Sequence, residues 1–187
     1  MLSDIKRILI TEEELKAKVK ELSEKLNEDY KGKNPLFIVI LKGAFVFAAD
    51  IFKYIEIPAA IDFMVVSSYA SGTESSGNVK IIKDVAQSIE GKDVIIVEDI
   101  VDTGFTLSNL VKILKERNPA SVEICSCVDK PERRVVPVDV KYKGFEVENE
   151  FIVGYGLDYA EKYRNLPFVG ILKEEVYEKW ISGCIFT

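Results

Sequence analysis

Apolar positions along the chain follow two patterns. One is a continuous run of strand length, and the other is a stripe at helical spacing. Residues 36–41, 59–67, 94–97 and 122–128 are of the first kind, rich in β-branched side chains and bounded by turn signals, so each predicts a buried strand. Thr11 and Glu14 form a capping box, and Leu15, Val19, Leu22 and Leu26 follow at helical spacing. They predict an amphipathic helix that ends near residues 31–35. A second helix is expected from Ala44, and a third is striped by Leu107, Leu110, Val111 and Leu114 and stopped by Asn118 and Pro119. Residues 79–83 resume strand alternation. Later, residues 138–142 and 151–159 read as short strands, 166–172 as a last strand and 174–180 as a terminal helix.

Strands alternating with helices predict an α/β fold, an open, mostly parallel twisted sheet flanked by helices. At 187 residues and 48% hydrophobic content, one domain with a small appendage is the expected organisation.

The stretch with most chemistry follows the third apolar run. Glu98 and Asp99 are adjacent carboxylates, Asp102 is a third, and Thr103-Gly104-Phe105-Thr106 turns into a helix. Ligands bind in such folds where parallel strands end. The N–H groups of Thr103 to Leu107 would be unpartnered donors at a helix start, aimed at an anion. Thr103 and Thr106 add hydroxyls and Gly104 permits close backbone approach, so a phosphate fits. Glu98 and Asp99 suit sugar hydroxyls or a hydrated Mg²⁺. Asp-Thr-Gly alone is often only a turn with a helix cap. The longer pattern is more specific, because three carboxylates at the end of a core strand are costly unless a ligand or cation uses them.

Lys42-Gly43 lies at a second strand-to-helix junction. By position alone it reads equally as an anion site or as a turn with a solvated lysine. The Ser- and Gly-rich segment around Ser68 and Tyr69 reads as a hairpin loop between antiparallel strands. Glu132, Arg133 and Arg134 read as a solvated turn, whereas Lys130 leaves a strand at the binding edge. By periodicity Phe151 is merely core.

Composition narrows the chemistry. The net charge of −6 argues against a nucleic-acid binder, which would need clustered Lys and Arg. With no histidine, acid-base work falls to carboxylates, Lys, Tyr or the substrate. Cys125 and Cys127 alternate onto one strand face and, with Cys184, read as reduced core residues. No signal-peptide core or membrane-length apolar run is present, so a cytoplasmic location without membrane partners is expected.

Residues 98–106 resemble the phosphoribosyl-diphosphate (PRPP) signature of the phosphoribosyltransferases, and in detail the hypoxanthine-guanine branch. Five motifs recur in the family's order, from about Ile8 to Leu172. The resemblance implies the type I fold over residues 1–187, with a core over about 35–130. A hood would come from the N-terminal segment and residues 138–180, and a hairpin lid would carry Ser68 and Tyr69. It implies phosphoribosyl transfer from PRPP to hypoxanthine or guanine with Mg²⁺, in a homodimer or homotetramer. Asp102 would be the general base, its pKa raised in a closed site. Glu98, Asp99, Asp102, Thr103, Gly104, Phe105 and Thr106 would hold the ribose and 5′-phosphate. Phe105 departs from the usual residue, at a position where backbone amides make the contact.

By the same resemblance Lys42, Gly43 and Arg164 would bind pyrophosphate, with a cis peptide between Leu41 and Lys42. Lys130, Phe151, Ile152 and Asp158 would take the purine, and Glu98, Asp99 and Asp158 the metal. The apolar tail, residues 183–187, has no assignment from the sequence, a subunit contact being one use for it. A xanthine-preferring relative and a nucleotide-sensing regulator of the same fold are the competing readings. The acidic balance and the presence of Lys130, Phe151 and Asp158 favour the enzyme.

Overall fold

A computed structural model describes residues 1–68 and 79–177, with the side chain of Ser68 excepted. Tyr69, the rest of the Ser/Gly-rich segment, Cys184 and the tail lie outside the described residues.

The main sheet has six strands in the order β4-β3-β2-β5-β6-β7. They are β2 (Leu36–Leu41), β3 (Ala60–Ser68), β4 (Val79–Lys83), β5 (Asp93–Val101), β6 (Ser121–Asp129) and β7 (Tyr142–Glu146). All neighbours are parallel except β3 and β4, which pair antiparallel at one edge. Successive residues of the central strands face opposite sides. Phe37, Val39, Ile95 and Val97 pack with helices α1 (Glu12–Asp29) and α2 (Phe45–Lys53). Leu36, Ile38, Ile40, Val94 and Ile96 pack with α3 (Phe105–Lys115). Burial on both faces is why these strands are continuous apolar runs rather than alternating ones.

The capping box is present: the Glu14 N–H donates to Thr11 Oγ1 at 3.2 Å and the Thr11 N–H to Glu14 Oε2 at 2.8 Å. Such caps contribute about 1 kcal/mol. Cys125 and Cys127 are buried in the α1 and α2 layer as free thiols, and burial pushes the Cys125 thiol up to about 12.

A second, three-stranded sheet has the order β1-β9-β8, formed by β1 (Ile5–Ile10), β9 (Val169–Leu172) and β8 (Ile152–Val153). Val153, Tyr163, Leu166 and Leu172 make its own small core. The N-terminal strand β1 is absent from the sequence prediction. Its pairing with β9 is interrupted by bulges, so apolar and charged residues do not alternate cleanly.

Two late predictions need correction. The strand expected over residues 138–142 forms instead over Tyr142–Glu146, as the outer strand of the main sheet. Val138 and Val140 pack against the α3 layer from irregular backbone, which mimics strand alternation. Of residues 151–159 only Ile152–Val153 is strand, because the chain then folds back through a Gly154–Leu157 bridge. Residues 174–177 are helical, as predicted for that segment.

Candidate active site

From β2 the chain crosses to β3 on one side, and from β5 to β6 on the other, so the direction of winding reverses between β2 and β5. Ligands in open α/β sheets bind at that reversal, beyond the carboxyl ends of the strands. Lys42 and Gly43 follow β2, Asp102 follows β5 and Lys130 follows β6, all on the same sheet edge.

Gly43 locks this edge together. A Cβ on Gly43 would stand 1.5 Å from Asp99 Oδ2. From the other side, a Cβ on Gly156 would stand 2.1 Å from the Gly43 carbonyl oxygen, and Gly156 has φ +99°. Only glycine fits at either position, and three segments distant in sequence meet there. The Leu41–Lys42 peptide bond is cis.

A cleft of about 470 Å³ opens beside this junction. Its walls include Asp99, Asp102, Lys130, Phe151, Ile152 and Asp158. Lys130 is buried, its Nζ donates to the Glu150 carbonyl at 2.6 Å, and burial lowers its pKa from the ordinary lysine value. Asp99 accepts from the Ile100 N–H at 2.8 Å. Glu98 is buried in β5 and does not line the cleft. Burial, and then the charge of Asp99, hold its carboxyl well above the usual range.

Beyond Asp102, Thr103 leads into Gly104 at φ +87°, the N-cap of α3, and Phe105 and Thr106 open the helix with no side-chain cap. The first N–H groups of α3 therefore have no partner within the helix. Gly104 is tight for a reason internal to the protein: a Cβ there would lie 2.5 Å from the Val136 carbonyl oxygen.

The family of phosphoribosyl transferase domains matches residues 8–160, a span that takes in the ends of β2, β5 and β6. The chain belongs to the phosphoribosyltransferase family. It is 56% identical over 94% of its length to the hypoxanthine-guanine phosphoribosyltransferase of Streptococcus thermophilus, covering 98% of that protein. It is 53% identical to a 28% portion of the bifunctional protein TilS/HprT of Listeria innocua, over 96% of this chain. A solved hypoxanthine phosphoribosyltransferase from Staphylococcus aureus superposes with a TM-score of 0.92 at 50% identity, covering 95% of this chain and 96% of that one.

Several features of this phosphoribosyltransferase were not visible in its sequence. Arg133, read as solvated, donates from Nε to Asp102 Oδ1 at 2.6 Å and from Nη1 to Asn149 Oδ1 at 3.1 Å. Arg134, also read as solvated, is half-buried; it pairs with the buried Asp129 and donates to the Asp102 carbonyl at 3.0 Å. Charged residues after a strand are usually solvated. Only the fold brings these two against Asp102, Arg133 at its carboxylate and Arg134 at its backbone carbonyl, 31 and 32 residues earlier. Asp102 was expected in a closed site, yet its side chain is 39% exposed and held by Arg133.

Phe151 is exposed at the cleft, stacked on Tyr177 at 4.8 Å between ring centroids and edge-on to Tyr159 at 5.4 Å. Tyr177 also lines the cleft, a position no sequence signal indicated. Lys42 and Arg164 stand beside the cleft. Lys42 Nζ is 2.9 Å from Glu161 Oε2, and Arg164 Nη2 is 2.7 Å from Asp158 Oδ1. The Arg164 Nη1 group donates to the Gly156 carbonyl at 2.8 Å.

Proposed function

We propose that this protein is a purine-salvage hypoxanthine-guanine phosphoribosyltransferase. It transfers 5-phosphoribosyl from PRPP to N9 of hypoxanthine or guanine, giving IMP or GMP and pyrophosphate. One observation carries the reading: a single cleft at the winding reversal joins the carboxylates of Asp99 and Asp102 to the buried ammonium of Lys130. A ribose, its anomeric carbon and a 6-oxopurine need those groups side by side.

The roles follow from the chemistry of each group. The N–H groups and hydroxyls from Thr103 to Thr106, with Gly104 and Phe105 supplying backbone, take the 5′-phosphate at the positive end of α3. Glu98 and Asp99 form the acidic floor beneath the ribose, with Asp99 the one that faces it. Lys42, the Gly43 loop and Arg164 receive pyrophosphate. Lys130 donates to the exocyclic oxygen of a 6-oxopurine and disfavours adenine, whose amino group would face an ammonium. Phe151 packs on the base and Ile152 offers backbone groups to its edge. As the C1–oxygen bond to pyrophosphate breaks and N9 bonds to C1 with inversion, Asp102 accepts the N7 proton. Arg133 holds that carboxylate in place.

Among the described residues no three His, Cys, Asp or Glu side chains converge on one point, so a cation caged entirely by protein does not fit. The carboxylates of Asp99 and Asp158, which line the same cleft, would hold a hydrated Mg²⁺. When bound, that ion neutralises charge developing on pyrophosphate. The lid that the family resemblance assigns to Ser68 and Tyr69 falls outside the described residues, the backbone of Ser68 excepted.

The smaller sheet acts as the hood over the base. Assembly is as a homodimer or homotetramer, with the exposed Phe45 beside the Lys42 loop available to a second copy. Among the described residues no helix is long and apolar enough to cross a membrane, in keeping with a cytoplasmic enzyme. Titration calorimetry with PRPP and Mg²⁺ tests the site: saturable heat supports it, and no heat at millimolar PRPP refutes it.

A further inference from the structure

The two cations assigned to pyrophosphate already share a carboxylate. Glu161 Oε2 lies 2.9 Å from Lys42 Nζ, and its Oε1 lies 3.7 Å from Arg164 Nη2. Lys42 comes from the loop after β2, and Glu161 from the loop between β8 and β9, so the fold, not the local sequence, brings them together. One side chain thus spans the gap that a diphosphate would bridge.

The loop is built to hold that carboxylate there. Ala160, Glu161 and Tyr163 have φ of 50°, 60° and 76°, in the left-handed region that side chains other than Gly and Asn rarely adopt. Tyr159 and Lys162 exchange backbone hydrogen bonds at 3.2 and 3.1 Å, closing the turn. The Glu161 N–H donates to Asp158 Oδ2 at 2.8 Å, tying the same turn to the carboxylate that also pairs with Arg164. Lys42 holds the Glu161 carboxyl below its usual range, so it is anionic wherever the enzyme would work.

We propose that Glu161 is an internal stand-in for pyrophosphate. It holds Lys42 and Arg164 before PRPP binds, yields them to the diphosphate, and reclaims them as pyrophosphate leaves. The proposal rests on the reading of Lys42, Gly43 and Arg164 as pyrophosphate ligands. Its energetics suit exchange. The side chains of Lys42 and Glu161 are each 66% exposed, so their attraction is weak and screened. A diphosphate, with more charge than one carboxylate, displaces it, whereas a buried pair would block the site. What the carboxylate supplies is a competitor of high local concentration, which weakens product binding.

The test is the affinity of inorganic pyrophosphate, with Mg²⁺ present, for the wild-type protein and for Glu161→Gln. Calorimetry gives the affinity, and product inhibition against PRPP checks it. Gln keeps the length of the side chain and the backbone bond to Asp158, and thermal melting confirms the fold. We expect pyrophosphate to bind about two- to fivefold more tightly in Glu161→Gln, the scale of losing one exposed ion-pair competitor. Glu161→Asp, too short to reach Lys42, should move the same way. Unchanged or weaker binding in Glu161→Gln would overturn the proposal, with weaker binding making Glu161 a residue that orders Lys42 for the ligand. If wild-type protein binds no pyrophosphate, the reading of the site itself fails, a result separate from any difference between variants.

Discussion

The carboxylate of Asp99 lies against the α-carbon of Gly43, with Oδ2 1.5 Å from where a Cβ would be. This contact joins the ends of the two strands between which the winding reverses. It also sets the spacing between the acids of β5 and the basic loop after β2. Because Asp99 is partly buried in β5 and bonded to the Ile100 N–H, it cannot move aside without vacating that bond. Gly43→Ala should therefore lower PRPP-dependent turnover by about a hundredfold, the scale of a displacement near 1 Å at the reacting groups. Overpacking should also remove about 1–3 kcal/mol of stability. Steady-state kinetics with urea unfolding separate the two effects, and wild-type turnover in a folded variant would contradict this account of the junction.

Asp102→Asn should lower the chemical rate by about two to four orders of magnitude while PRPP still binds, the usual scale for a lost general base. Single-turnover measurements read that step directly. Near wild-type turnover in the variant would remove Asp102 from the role.

Arg133→Gln should lower kcat by about tenfold without abolishing it, since the side chain orients Asp102 rather than reacting. The loss should be absent in an Asp102→Asn background, because the two act as one unit. A double-mutant cycle measures this, and additive losses would separate Arg133 from Asp102.

The strands that position the site were legible because β2, β5 and β6 are buried on both faces, and the capping box of Thr11 and Glu14 marked α1 without ambiguity. Strand β1 was not, since bulges break its alternation. Strand β7 was displaced because Gly144 is unfavourable by propensity, yet a Cβ there would stand 2.2 Å from the Cys127 carbonyl oxygen, so close approach to β6 decides the residue. At the site, position alone put Glu98, Asp99 and Asp102 at the end of a buried strand, whereas Lys42 and Gly43 read equally as a plain turn without the family resemblance. The pairing of Arg133 with Asp102, the clasp of Glu161 on Lys42 and the stack of Tyr177 on Phe151 were not. Each depends on segments that meet only in the fold.

Lys130→Ala should blur the choice between hypoxanthine and adenine by about ten- to a hundredfold, because the buried ammonium is the donor that a 6-amino group cannot use. Competition between the two bases at fixed PRPP measures the ratio. Unchanged selectivity would place base recognition elsewhere.

The Asp84 carboxylate takes two bonds of 2.8 Å from Arg117, pinning the connection before β5 to the residues after α3. Those bonds hold its carboxyl below the ordinary 3.8. A folded-state value below the unfolded one means that the stabilisation is complete above 3.8 and is lost as pH falls through the folded value. The pair is partly exposed, so its contribution after screening is about 0.5 kcal/mol. Asp84→Asn should therefore be less stable than wild type at pH 7 and equal to it near pH 2. Urea midpoints at the two values check this, and a difference that persists at low pH would assign the effect to something other than charge.

The most direct test of the central claim is a nucleotide-formation assay with PRPP and Mg²⁺ against hypoxanthine, guanine, xanthine and adenine in turn. Rapid conversion of hypoxanthine and guanine with stoichiometric pyrophosphate release, and none of adenine, is the predicted result. Nucleotide from adenine in preference to the 6-oxopurines, or from no base at all, would contradict it.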